Sequence, residues 1–197
     1  MEIQNNKEEI PFSYYLDLFS KADPAEITAR TGVPWENGLF PVTLLGISCT
    51  VAFPSGEVTP NLPIPTQTFL LRYLLEGKTV PFENTWKTFR EMPWGELYIK
   101  PYTGRVLTRA AFTFGTRLNA FKAAAEKLGG TPVPNGDAGY EFNFIGDYKV
   151  RILVWEGDDE FPPNAQILYS DNFETGFAPE DRVVTGDILI TTLKSAM

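Results

Sequence analysis

The segment from Tyr140 to Trp155 limits the possible folds more than any other. Tyr140, Phe142 and Phe144 alternate with Glu141 and Asn143, and after Gly146–Asp147 the run KVRILVW continues in the same manner. Alternation with period two, broken by a two-residue loop that begins with Gly, predicts a β-hairpin with a type II′ turn. A third strand is predicted over Ala165–Ser170. Upstream, Leu45, Ile47, Cys49, Val51 and Phe53 alternate with Gly46, Ser48, Thr50 and Ala52. Pro54, Ser55 and Gly56 then form a turn, and Glu57–Thr59 is predicted to pair back.

Helical segments surround these strands. One is predicted near Phe12–Ala22. The next is capped by Asp23, opened by Pro24 and ended by Gly32. Residues Pro60–Pro65 read as an extended connector. Thr66–Glu76 is nearly all apolar, so Leu70, Leu71, Leu74 and Leu75 are expected in the core. A stripe of Leu118, Phe121, Ala125 and Leu128 predicts a helix over Thr116–Leu128, stopped by Gly129–Gly130. The last helix is predicted from Pro179, with Glu180 and Asp181 at its positive end. Gly186 and the β-branched run Ile188–Thr192 count against it. Phe82–Gly104, rich in aromatics and prolines, is expected to form short irregular elements. The fold class that follows is α+β: a single domain of 197 residues, with a mainly antiparallel sheet and helices packed on it. Residues 1–38 form a helical segment and 39–197 the main body.

Composition excludes several chemistries. The chain has no His and one Cys, so it contains no Ser–His or Cys–His pair and no disulfide within itself. Cys49 lies on the apolar side of a strand and is expected to be a buried, inert thiol. The net charge of −8 speaks against nucleic acid and against anionic membranes. The polar, acidic start MEIQNNKEEIPF has no signal-peptide pattern, and no apolar run approaches the roughly 18 residues of a membrane span. A cytoplasmic location is the expectation. Gly77–Lys78–Thr79 looks like half of a phosphate loop, but Arg72 stands where the first glycine belongs and a helix precedes it; a helix end is the better reading.

Two stretches are candidates for function. The aromatics Trp86, Phe89, Trp94, Tyr98 and Tyr102 either stack a planar ligand or plug the end of a core. In WEGDDEFPPN, Glu156, Asp158, Asp159 and Glu160 crowd between Trp155 and two prolines. Clustered carboxylates hold Mg²⁺ or Ca²⁺, or supply an acid and a base; otherwise they are a solvated loop. A two-residue turn at Gly146–Asp147 places Asp137 opposite Glu156, which brings Asp137 and Asp158 to one end of the hairpin. Lys149 and Arg151, the nearest bases, lie toward its other end. The expected ligand-binding residues are therefore Asp137, Asp158, Asp159, Glu160 and Trp155, with Asp137 and Asp158 as candidate metal ligands.

Several segments carry a resemblance: LLRYLLEG at Leu70–Gly77, LGG at Leu128–Gly130, GDAGYEF at Gly136–Phe142, WEGDDEFPPNAQILY at Trp155–Tyr169 and PED at Pro179–Asp181. From about residue 40 onward the chain resembles a prokaryotic family known as domain of unknown function 3786. The resemblance implies a bacterial or archaeal protein with an accessory role in anaerobic metabolism, beside iron–sulfur modules in some members. This chain lacks the cysteines for an iron–sulfur cluster of its own. The leading expectation is a non-catalytic module that binds a small molecule or a partner protein. The alternatives are a metal-dependent enzyme built on the carboxylates and a structural subunit of a larger complex.

Overall fold

The computed structural model describes residues 8–197; the first seven residues of the polar N-terminal stretch lie outside the described residues. The described chain forms two compact units, one from residues up to 44 together with 48–79, the other from 45–47 together with 80–197. Both combine helices with antiparallel strands, so the fold class is α+β. Among the described residues no helix is long and apolar enough to cross a membrane.

The first unit contains α1 (Glu9–Ser20), α2 (Pro24–Thr31), β1 (Leu39–Leu44), β2 (Ile47–Ala52), β3 (Val58–Thr59) and α3 (Ile64–Glu76). Asp23 caps α2 by accepting from the Ala25 N–H at 2.8 Å, and Gly32 ends it in the left-handed region at φ 73°. The long alternating run from Leu45 is shorter than expected. Leu45 and Gly46 both have positive φ, 48° and 75°, and make a tight turn. The segment before them is a strand, β1, which buries Phe40, Val42 and Leu44. Val51 pairs with Val58 as the turn at Pro54–Gly56 requires. Leu70, Leu71 and Leu74 are fully buried on α3, whereas Leu75 is only half-buried. Arg30 donates to the Leu74 carbonyl at 2.9 Å and to that of Gly77, so it closes the end of α3 just where the phosphate-loop fragment begins. Cys49 is buried, and burial pushes its thiol above the ordinary value.

The second unit is built on a meander. Strands β6 (Ala138–Ile145), β7 (Tyr148–Trp155) and β8 (Asn164–Ser170) are antiparallel neighbours, β4 (Trp86–Thr88) lies beyond β8, and β5 (Thr131–Val133) pairs with β6. Tyr140, Phe142, Phe144, Val150, Ile152, Ile167 and Tyr169 are all buried. Helices α6 (Leu118–Lys127) and α8 (Pro179–Ala196) belong to the same unit, with α7 (Phe173–Gly176) leading into α8. Gly186 is needed in α8 rather than merely tolerated: a Cβ there would lie 2.7 Å from Val106 Cγ1. The β-branched run that counted against α8 is buried at Ile188 and Ile190, so tertiary packing overrides propensity.

Candidate functional site

The stretch Phe82–Gly104, expected to form short irregular elements, begins with such elements but ends in a continuous helical run. Strand β4 runs into a 3-10 turn, Phe89–Glu91, and then α4 (Gly95–Tyr102), a π-helical segment (Thr103–Thr108) and α5 (Arg109–Phe114) follow without a break. Gly95 opens α4 because the Phe89 and Arg90 carbonyls occupy the space a Cβ would take. Trp94, just before it, is held at φ 68°. That region is unfavourable for any residue with a Cβ, and for a bulky ring it is rare. Pro101 inside the helix cannot donate to the Leu97 carbonyl, and the wider π turn follows directly.

The opposite wall is fixed by a buried guanidinium. Arg182, on α8, is 3% exposed. It donates to the carbonyls of Pro93 at 2.8 Å, Glu174 at 2.8 Å, Phe177 at 2.9 Å and Phe173 at 3.2 Å. Burial pulls its pKa below the ordinary value, while Glu174, Tyr169 and Asp181 oppose that. The bond to Pro93 ties α8 to the residue next to Trp94. Beneath the site, Phe89 stacks on Tyr102 with centroids 4.0 Å apart. The Tyr102 and Tyr169 hydroxyls lie 2.9 Å apart, and Tyr169 donates to the Arg182 carbonyl at 2.9 Å. Burial raises both phenols well above their ordinary range.

Between these walls lies a cavity of about 510 Å³. It is lined by Phe89, by Trp94, Leu97, Tyr98 and Arg105, and by Pro179, Glu180, Val183 and Val184 of α8. Trp94 and Leu97 are 69% and 78% exposed, the most open of the large apolar side chains among the described residues. At the rim, Asp187 is bound by Arg105 and, at 3.0 Å, by Arg109. Arg90 and Glu96 pair with each other at 2.8 Å.

The acidic corner is arranged differently. The hairpin turn pairs Ile145 with Tyr148 as expected, but a bulge between Asn143 and Ile145 shifts the rest by one, so Ala138 pairs with Val154. That brings Asp137 level with Trp155 rather than Glu156. The Asp137 carboxylate accepts from the Glu156 backbone N–H at 2.8 Å. Asp158 turns onto its own loop and accepts from the N–H groups of Glu160 and Phe161 at 2.8 and 2.7 Å. These bonds hold its pKa below the ordinary carboxylate value. The hairpin thus carries Asp137 and Asp158 to the same end, yet each carboxylate serves a different backbone partner. Glu156, Asp159, Glu160 and Phe161 point into solvent, with Trp155 37% exposed beside them. Lys149 and Arg151 are engaged by Glu141 at 3.1 and 2.9 Å, far from these acids along the strand. Among the described residues no three Asp, Glu, Cys or His groups gather in a way that could hold a metal ion.

Sequence reasoning noticed Trp94 and Tyr98 but missed Leu97, Arg105, Val183 and Val184. The available signal was spacing: residues 94, 97, 98 and 105 fall on one helical face, and Pro101 concealed it.

An α+β architecture with an antiparallel meander and an apolar cavity beside it defines the structural class. The chain belongs to the family described as Domain of unknown function (DUF3786), whose model matches residues 23–192. No curated protein and no solved structure matches it.

Proposed function

We propose that this chain is a binding module whose site is the cavity between α4 and the first turns of α8, and whose ligand is a small molecule with a planar, apolar body. The observation that carries this reading is Trp94. A large ring is held in a strained left-handed conformation, at φ 68° and 69% exposed, on the lip of a cavity. Backbone strain of this kind costs about 1–3 kcal/mol and tends to be retained at ligand clamps and active sites. The volume, about 510 Å³, falls within the several hundred Å³ typical of small-molecule sites. The lining is mostly apolar, with one cation and one anion to orient a guest.

The acidic corner takes a bracing role in this account. Asp137 and Asp158 close the hairpin end and its loop through backbone N–H groups, and we assign Asp159, Glu160 and Trp155 no ligand. The net charge of −8 supports partners other than nucleic acid. The family resemblance supports an accessory role in anaerobic metabolism. Crystals soaked with a mixture of planar bicyclic fragments test the proposal: density between Trp94 and Val183 is expected. Density only elsewhere, or none at millimolar fragment, would overturn it.

A further inference from the structure

The binding reading leaves the charge of the ligand open, and the inference drawn here rests on that reading. We infer that the cavity prefers a guest whose planar body carries a carboxylate, and that Arg105 is the residue that selects it.

The charges around the cavity are even in number but unevenly paired. Arg90 and Glu96 neutralise each other across two bonds. Asp187 carries one negative charge and is bound by two guanidiniums, those of Arg105 and Arg109. Arg109 also donates to Thr191 Oγ1 at 2.6 Å, so it stays anchored beside Asp187 whatever Arg105 does. Arg105 can therefore turn toward a ligand without stranding Asp187, whose side chain is only 17% exposed. This matters because a half-buried carboxylate left without a partner would oppose the movement.

Arg105 is also placed to do this. It lies in the π-helical turn, lines the cavity, and keeps 54% of its side chain exposed. Its planar fork can meet a carboxylate with two parallel hydrogen bonds. The one anion in the lining, Glu180, stands in the first turn of α8, where the positive end of an 18-residue helix offsets part of its charge. The formal charges around the mouth are even, three guanidiniums against three carboxylates. With Asp187 held by Arg109 and Glu180 offset by the helix end, Arg105 is the group best placed to meet an anion. An aromatic ring between Trp94 and Val183 would then hold its carboxylate at Arg105.

The test uses calorimetry on the full chain with three probes of matched shape: naphthalene-2-carboxylate, naphthalene-2-carboxamide and naphthalen-2-ylmethylammonium. The carboxylate is expected to bind about ten-fold tighter than the amide, as one charge-assisted hydrogen-bonded pair allows, with the ammonium weakest. Arg105→Gln should bring carboxylate and amide to equal affinity. Leu97→Gln, which replaces an apolar wall by an uncharged polar one, should weaken all three, which places them in this cavity. Equal affinities for carboxylate and amide in the unaltered protein, or tightest binding of the ammonium, would overturn the selectivity and leave the cavity standing as a site. Binding by none of the three would overturn both.

Discussion

The acidic corner and the α4–α8 cavity lie in the same unit and teach opposite lessons about where a site can be seen. The corner is conspicuous in the sequence because its acids are adjacent, at 156 and 158–160. Adjacency in a loop gives carboxylates nearby backbone N–H groups, and Asp158 takes two of them. The cavity is inconspicuous in the sequence because its walls lie far apart in the chain, at 89–105 and 179–184. Only the packing of α8 against the interrupted helix joins them, and Arg182 is the tie. Charge density marked the loop, whereas shape and strain mark the cavity.

That contrast can be broken at several points. The largest effect is expected from Arg182→Met, which removes the donor to four backbone carbonyls. Chemical denaturation should show a loss of about 3–5 kcal/mol; a loss below about 1 kcal/mol would mean that the tie does not hold the wall. Gly95→Ala forces a methyl against the Phe89 carbonyl and should cost about 1–3 kcal/mol in the same assay. Trp94→Gly should act in the other sense. It relieves the positive φ, so stability should hold or rise by about 1 kcal/mol while probe binding is lost. A clear loss of stability would show that Trp94 is there for packing. Asp137→Ala should cost about 1 kcal/mol by leaving the Glu156 N–H without its acceptor, with no change in probe affinity. The smallest effect concerns pH. The folded Asp158 carboxyl titrates below the unfolded value of about 3.9, so its contribution is complete above that value and fades as pH falls through the folded pKa. A carboxyl titration by NMR with a midpoint at or above the unfolded value would contradict this.

Much of the fold was legible because it rests on local signals. The Asp23–Pro24–Gly32 punctuation of α2, the Gly146–Asp147 hairpin and the apolar α3 each declare themselves within a few residues. Strand β1 was hidden because Leu44–Leu45–Gly46 extends the alternation of β2 through what is a turn. The α4 helix was hidden by Pro101 and by aromatics that suit either a plug or a platform. The register of the β6–β7 hairpin was set by its turn, yet a bulge near Phe144 moved Asp137 by one position. Polar Asn143 and apolar Phe144 keep the alternation up to the bulge, so the pattern gives no sign of the extra residue there. The cavity depends on contacts between residues about eighty positions apart, which no periodicity encodes.

The two regions can be set against each other in one experiment. Amide chemical-shift mapping of isotope-labelled protein, titrated with naphthalene-2-carboxylate, reads both at once. The account predicts shifts concentrated at Trp94, Leu97, Tyr98, Arg105, Val183 and Val184, with residues 155–164 unmoved. Shifts concentrated at residues 155–164, with α4 and α8 silent, would contradict it.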